Sequence, residues 1–228
     1  MKKGVYIIGT NTDIGKTFVS GLILKKLRRD GINAGYYKPV LSGAVKRKEG
    51  LIPMDCEEVM KISGLKEDYD NMVSYILEHP YSPHLASEVE AVPINIEKIK
   101  MDYLRASEKY DFILCEGSGG IVCPISFSDE KFMLEDIVRE INLPIILVSN
   151  SGLGSINHTV LTISYLKNLG LKVSGIVLNG FNRKNIIHTD NKRIIRELTG
   201  VKNISTVPSL ENIEEYDLNE LNEVLYGV

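Results

Sequence analysis

The stretch "GVYIIGTNTDIGKTFVSGLILKKL", residues 4–27, decides the fold of this chain. It opens with an apolar, β-branched run of the kind that forms buried strands. From Phe18 onward its apolar residues follow the spacing of an amphipathic helix. The loop between the two ends in Gly15, Lys16 and Thr17, the last three residues of the phosphate-binding pattern G-x-x-x-x-G-K-[ST]. This order of strand, loop and helix predicts a nucleotide-binding α/β protein.

The loop departs from that pattern at one position. Thr10 stands where the first glycine is expected, and Gly9 comes one residue earlier. One interpretation is a tight turn whose glycines serve packing alone. The context favours a phosphate site instead, because N–H groups at the start of a helix face an anion. Lys16 would then reach the terminal phosphates, and the hydroxyl of Thr17 would bind magnesium.

Apolar runs and helical patterns alternate along the rest of the chain. Further strands are predicted in "AGYYKPV", "DFILCEG", "PIILVSN", "VSGIVLN" and "NISTVP". Helical spacing covers residues 18–29, 96–110, 134–141 and 158–169. This alternation indicates an α/β fold in which residues 1–228 form a single domain. We expect a doubly wound, mostly parallel sheet with helices on both faces, like that of P-loop NTPases. The longest segment without a pattern is residues 41–55, which is functional or disordered.

The composition of the chain limits the partners that it could bind and the cellular compartment in which we expect it. The net charge of −3 over 228 residues offers little attraction for nucleic acid or an anionic membrane. No apolar run reaches the length of about 20 residues that spans a bilayer. The cysteines Cys56, Cys115 and Cys123 lack the spacing of a disulfide framework or a zinc ribbon. We therefore expect a cytoplasmic protein with free thiols that binds neither nucleic acid nor membrane.

Residues that need an explanation stand at the ends of the predicted strands. They are Lys38, Glu116, Asn150, Asn179 and Pro208. In an open parallel sheet, ligands bind in the crevice outside the carboxyl ends of the strands. Loops are polar in general, so one such residue would mean little. A run of them with different chemistries predicts one binding crevice at this edge.

Three acidic residues and one lysine carry the predicted chemistry. Magnesium on a nucleotide takes carboxylate ligands, and Glu116 suits this role, although it could also be an exposed acid at a strand end. Asp55 could bind the metal or cap the helix after it. Asp13, inside the phosphate loop, suggests that a cationic group such as a substrate amine also comes near. Lys38 is either a surface lysine or a second cation that stabilises charge during transfer of a γ-phosphate.

Five segments together resemble the dethiobiotin synthetase family. They are "GTNTDIGKT", "YYKPVLSG", "SPHLAS", "EGSGG" and "LGSINHT". The similarities run in the family's order over nearly the whole chain, and the ordered set is quite specific. Asn11 stands where family members often have Asp, and Ser118 replaces a common Ala. The segment "GIVCPI" also lacks an aromatic residue that is often found there. These departures concern affinity and nucleotide preference more than the type of reaction.

The resemblance implies an ATP-dependent cyclo-ligase of biotin synthesis. In the family, ATP and CO2 convert 7,8-diaminononanoate (7,8-diaminopelargonate) into dethiobiotin, ADP and phosphate. The N7 amine traps CO2 as a carbamate, which attacks the γ-phosphate. The N8 amine then attacks the mixed carbamic–phosphoric anhydride, and phosphate leaves. The protein's work in such a reaction is positioning and charge neutralisation.

The same resemblance assigns residues to each function. The magnesium ligands would be Thr17, Asp55 and Glu116. The catalytic residues would be Lys38, Lys16, Thr12 and Ser42. ATP would be bound by Asp13, Ile14, Gly15, Lys16, Thr17, Phe18, Glu116, Gly119, Asn179, Pro208, Leu210 and Glu211. The diamine would be bound by Thr12, Lys38, Ser42, Gly119, Gly120 and Asn157. Asn157 would reach the partner's site across a homodimer.

Other interpretations of the chain remain open at this point. A related ATP-dependent amidotransferase or ligase usually has an additional glutaminase domain, for which 228 residues leave no room. A ParA/MinD-like ATPase switch is expected to have a signature lysine early in the phosphate loop and often a basic carboxyl terminus. This chain has "TNTDIGKT" and an acidic tail, "ENIEEYDLNELNEVLYGV". A catalytically silent nucleotide-binding module would have no need for Lys38 and Glu116.

Overall fold

The computed structural model describes residues 3–128, 130–210 and 213–225. The strands are β1 (Lys3–Gly9), β2 (Ala34–Ser42), β3 (Val45–Arg47), β4 (Gly50–Ile52), β5 (Val73–Leu77), β6 (Phe112–Gly120), β7 (Pro124–Phe127), β8 (Lys131–Met133), β9 (Ile145–Asn150), β10 (Val173–Asn179) and β11 (Ile204–Val207). The helices are α1 (Lys16–Arg29), α2 (Met54–Ser63), α3 (Tyr69–Met72), α4 (Pro83–Glu90), α5 (Ile96–Glu108), α6 (Leu134–Ile141), α7 (Ser155–Asn168), α8 (Ile186–Thr199) and α9 (Asn222–Leu225). Two short 3₁₀ segments, Ile213–Glu215 and Leu218–Leu221, precede α9.

The central sheet has seven strands in the order β11-β10-β9-β1-β6-β2-β5. Every pair of neighbours in it is parallel, which confirms the predicted sheet. The sequence prediction did not include β5, the strand at one edge. Its burial alternates along the strand, so it lacks the continuous apolar run that marks the inner strands. Two antiparallel hairpins, β3–β4 and β7–β8, lie outside this sheet.

Alternate residues of β1 face two separate hydrophobic clusters, as the period of two in a strand requires. Tyr6 and Ile8 belong to the cluster that also contains buried residues of α5, α6 and α7. Val5 and Ile7 belong to the cluster formed with α1 and α2. Helices therefore cover both faces of the sheet, which confirms the doubly wound architecture. The edge formed by the carboxyl ends of the strands is left for ligands.

Helix α1 begins at Lys16, as the loop motif predicts, whereas α7 begins at Ser155, before its predicted range; both helices start directly after a glycine. Helix α1 follows Gly15, whose φ is 86°, and α7 follows Gly154, whose φ is 87°. A left-handed residue at this position is accessible to glycine without steric cost. Apolar periodicity does not report such a start, because the first turn faces the ligand edge. Over the described ranges, none of the helices has the length and apolar character needed to cross a membrane.

The prediction of an irregular segment at residues 41–55 was wrong. It contains the end of β2, the hairpin β3–β4 and the start of α2. The hairpin strands have three residues each, too short to show alternation. Asp55 does not cap α2, since the helix begins one residue earlier, after Pro53. The carboxylate of Asp55 is thereby free to face the ligand edge.

Candidate active site

A cleft of about 430 Å³ lies at the carboxyl ends of β1, β6 and β2. The phosphate loop forms one wall, and the first turns of α1 and α2 form two others. Its lining residues are Thr12, Asp13, Gly15, Lys16, Thr17, Phe18, Lys38, Ser42, Asp55, Glu58, Glu116, Ser118 and Gly119.

The conformation of the phosphate loop depends on two left-handed residues and on a contact with the side chain of Asn179. Asp13 has a φ of 56° and Gly15 a φ of 86°. Both residues, separated only by Ile14, are therefore in the left-handed region, which is costly for the non-glycine residue Asp13. The side-chain Nδ2 of Asn179 donates to the carbonyl of Ile14 at 2.9 Å. A Cβ at Gly15 would lie 2.2 Å from that amide nitrogen. Only glycine fits this position, because of both its φ and the neighbouring amide.

The start of α1 has the properties of an anion site. Gly15 provides no side-chain cap, and the first turn contains no acidic residue. The first N–H groups of a helix lack intrahelical partners, so here they remain available to a phosphate. The Lys16 ammonium donates to the carbonyl of Asn11 at 2.9 Å, which folds the lysine back over the loop. The free N–H groups and the Lys16 ammonium lie on the same loop, where the sequence predicts phosphate binding.

A buried charged centre lies beside this loop. Glu116 is fully buried and accepts hydrogen bonds from Thr17 Oγ1 at 2.9 Å, Ser20 Oγ at 2.7 Å and Lys38 Nζ at 2.8 Å. The ammonium of Lys38 also pairs with the carboxylate of Asp55. We call Lys38, Glu116 and Asp55 the charged triad. Burial of such charges is tolerated only with partners of this kind.

The two lysines of the cleft have pKa shifts of opposite direction. Burial by itself lowers the pKa of Lys38, but Glu116 and Asp55 outweigh burial and raise that pKa above its ordinary value. Burial lowers the pKa of Lys16, and the positive charge of Lys38 adds to this shift against the opposing carboxylates. Lys38 is thus held in its charged form, whereas Lys16 carries a charge that a bound anion would stabilise.

The donors around the triad suit a hard cation. Carboxylates of Asp55 and Glu116 and the hydroxyl of Thr17 are oxygen ligands of the type that Mg²⁺ takes together with phosphates and water. Both carboxylates contact the same ammonium of Lys38, so they face a common cation position. Among the described residues, no group of three or more His, Cys, Asp or Glu side chains could hold a metal.

Most of the predicted site residues line the cleft, and the others lie elsewhere. Pro208 lines a second cleft of about 500 Å³ next to the ends of β10 and β11, and Leu210 packs against the hydrophobic cluster below it. Asn157 is exposed on the first turn of α7. Gly120 follows the lining residue Gly119 in the chain, and Glu211 lies outside the described residues.

The sequence prediction missed three residues of the cleft region. Ser20 is three residues after Thr17 and Glu58 three after Asp55, the spacing that places side chains on one helix face. That spacing was the available signal. Burial and the nearby Asp55 and Glu116 carboxylates raise the pKa of Glu58. Ser118 donates its hydroxyl to the carbonyl of Val40 at 2.6 Å, a contact between strands that no local pattern reveals.

Comparison with known proteins identifies the family. A family model described as an AAA domain matches residues 3–216. The ATP-dependent dethiobiotin synthetase BioD of Clostridium perfringens strain 13 is 78% identical over 228 residues, all of both chains. This chain belongs to the dethiobiotin synthetase family. The resemblance to this family that the sequence motifs indicated is thereby confirmed.

More distant similarities agree with this family and with the fold. The ATP-dependent dethiobiotin synthetase BioD of Clostridium novyi strain NT is 50% identical over 213 residues, 93% of this chain and 90% of its own. The septum site-determining protein MinD of Pyrococcus horikoshii OT3 superposes with a TM-score of 0.56, covering all of this chain and 89% of its own. Its sequence identity is 17%, so this likeness concerns the P-loop NTPase-like fold alone.

Proposed function

We propose that this chain is an ATP-dependent dethiobiotin synthetase that forms the ureido ring of dethiobiotin from 7,8-diaminononanoate (7,8-diaminopelargonate), CO2 and MgATP, releasing ADP and phosphate. The observation that carries the proposal is Lys38, a buried lysine held charged between two carboxylates beside the phosphate loop. Family membership supports the use of ATP. The three cysteines are free thiols, in keeping with the cytoplasmic location that we expect.

The reaction that we propose has three bond-forming steps. The N7 amine of the diamine attacks CO2 and loses a proton, which gives a carbamate. A carbamate oxygen attacks the γ-phosphorus as the bond to ADP breaks, and the product is a carbamic–phosphoric anhydride. The N8 amine then attacks the carbonyl carbon, loses its proton, and displaces inorganic phosphate as the ring closes.

The two lysines would supply the positive charge that these steps need. Negative charge spreads over the γ-phosphate oxygens during transfer, and preorganised cations stabilise it without reorganisation. Lys38 is already charged and buried at the cleft. Lys16 would contact the phosphates and the carbamate from the loop. Thr12 and Ser42 line the same cleft and would hydrogen-bond near the reacting nitrogens.

Magnesium would be held by Thr17, Asp55 and Glu116 together with the phosphates. When bound, the ion would neutralise charge on the β- and γ-phosphate oxygens. Asp13 and Phe18 would complete the surroundings of the nucleotide, and Gly119 with Gly120 would let the backbone approach the diamine.

The remaining assignments concern the adenine of ATP and the carboxylate of the diamine. The adenine would lie toward the second cleft, where Pro208 is a lining residue. Leu210 and Glu211 follow closely in the chain, and Asn179 is paired with Val207 on the neighbouring strand. The carboxylate of the diamine would be bound at the start of α7. We infer a homodimer in which Asn157 from one protomer serves the partner's site, in keeping with its exposure here.

Incorporation of ¹⁴C from labelled bicarbonate tests the proposal. Purified protein with MgATP and 7,8-diaminononanoate should give acid-stable label in a cyclic product, with one phosphate released per label. Label should be absent without the diamine and after removal of divalent cations with EDTA. Slow ATP hydrolysis that is indifferent to the diamine, with no label, would contradict the proposal and favour a ParA/MinD-like switch.

A further inference from the structure

The loop between β9 and α7 is held by one side chain from another helix. Asn191, on α8, is 8% exposed. Its Nδ2 amide donates at 2.9 Å to the carbonyls of both Ser151 and Gly152, and it lies 3.1 Å from the hydroxyl oxygen of Ser155. One amide therefore reaches three consecutive parts of the segment that leads into α7.

The same segment is connected to the phosphate loop. The hydroxyl of Ser151 donates to the carbonyl of Asn179 at 2.7 Å. The amide of Asn179 donates in turn to the carbonyl of Ile14 at 2.9 Å. We call Asn191, Ser151 and Asn179 the neutral network. It joins the start of α7 to the nucleotide loop through three side chains that carry no charge.

Besides the side chains of Asn191 and Ser151, a backbone hydrogen bond from the N–H of Ser155 to the carbonyl of Gly152 at 3.2 Å restrains the segment. It contains Gly152 and Gly154, the second with a φ of 87°, and α7 has no side-chain cap. Between the glycines, Leu153 is 82% exposed and so contributes little packing. Glycines lose the most conformational freedom on ordering. The hydrogen bonds from Asn191 therefore add a restraint that the glycine backbone lacks, and they tie the segment to α8.

We propose that Asn191 is a positioning residue for the carboxylate end of the substrate. It fixes residues 151–154, and with them the start of α7 and Asn157, relative to α8. The proposal rests on the proposed function, in which the start of α7 binds that carboxylate. Asn191 itself does not line the reaction cleft, so its effect should be confined to capture of the acid.

The experiment compares Asn191→Ala with the matched variant Asn203→Ala. Asn203 donates its Nδ2 to the carbonyl of Ser174 at 3.1 Å, a similar bridge at the opposite end of β10. Loss of one such hydrogen bond is expected to weaken what it positions by roughly tenfold. Asn191→Ala should therefore raise the KM for 7,8-diaminononanoate about tenfold, with the KM for ATP and kcat within about twofold. Asn203→Ala should leave all three constants unchanged.

Hydrogen exchange provides a readout that does not depend on turnover. The backbone amides of residues 151–156 should exchange faster in Asn191→Ala and not in Asn203→Ala. Equal KM values for the diamine in the two variants, with equal exchange at this segment, would overturn the proposal. If Asn191→Ala does not fold, Asn191→Ser takes its place, because its shorter side chain has one hydroxyl donor and cannot reach both carbonyls that the Nδ2 amide now contacts. An unchanged KM for the diamine in that variant would overturn the proposal as well.

The control with unmodified protein separates this proposal from the proposed function. If the unmodified chain incorporates no label in the presence of the diamine, the synthetase reaction itself is wrong. If it incorporates label and Asn191→Ala behaves like Asn203→Ala, the reaction stands and the positioning role is wrong.

Discussion

The two halves of the ligand edge use opposite kinds of interaction. At the ends of β6 and β2, the charged triad joins buried Lys38 and Glu116 and half-buried Asp55 around one ammonium group. At the ends of β9 and β10, the neutral network of Asn191, Ser151 and Asn179 joins loops by amide and hydroxyl hydrogen bonds. Both halves are polar clusters, but only one of them contains charged side chains.

The difference indicates a division of work between the halves. Removing one partner of a buried ion pair leaves an uncompensated charge. The triad is therefore suited to a charged ligand, which can take the place of an ion-pair partner when it binds. The bonds of the neutral network need no replacement when a ligand binds, and no proton is gained or lost from them near neutral pH. We therefore expect the rate of the chemical steps to depend on the charged half, and the positioning of the substrate to depend on the neutral half.

Lys38→Ala should have the largest effect. We expect kcat to fall by about 10²–10³-fold, the typical result of removing one donor to developing charge, while nucleotide affinity changes little. Turnover with labelled bicarbonate and titration with an ATP analogue measure the two quantities. Lys26→Ala is the matched control, because Lys26 is also buried and paired with a carboxylate, Asp30, but lies away from the cleft. Collapse of nucleotide affinity with turnover preserved at saturation would contradict the division.

Asn157→Ala should have a smaller effect, confined to the neutral half. We expect the KM for the diamine to rise about tenfold, as for one lost hydrogen bond to a charged group, with unchanged affinity for ATP. Asn168→Ala, at the other end of α7, is the control. Mixing Lys38→Ala and Asn157→Ala protomers should restore turnover at low diamine, because a mixed dimer contains one site with both residues intact. Absence of restoration in demonstrated mixed dimers would show that Asn157 does not serve the partner's site.

The smallest expected effect is a fraction of a proton taken up by Lys16. Its pKa is lowered in the free protein, with burial as the first cause, and bound phosphate should raise it again. At pH values between this lowered pKa and the ordinary 10.5, Lys16 should therefore take up a proton when the nucleotide binds. Lys38 should contribute nothing here, because its pKa is raised and it stays protonated throughout this window. Calorimetry in two buffers of different ionisation enthalpy measures the uptake.

The control for this measurement is Lys16→Arg, which stays charged at these pH values. Its binding enthalpy should be the same in both buffers. Uptake that persists in this variant would assign the proton to another group.

Local sequence patterns were sufficient to predict much of the fold and part of the candidate active site. The phosphate loop, six of the parallel strands and helix α6 follow from residues that are neighbours in the chain. The cleft residues Lys16 and Thr17 were predictable from the loop motif. Lys38 and Glu116 were predictable because they stand at strand ends, and parallel strands end at one edge. Edge strand β5 and the hairpin β3–β4 were not, since short or half-polar segments lack a clear period.

The sequence by itself determined the kind of protein: a parallel sheet with a phosphate loop, and an ordered set of motifs that resembles one family. Only the tertiary structure decided which partners the polar residues have. Lys38 and Glu116 are 78 residues apart, Asn179 and Ile14 are 165 apart, and no periodicity connects such positions. Pairing at these distances depends on strand order and on the burial that makes each polar group need a partner.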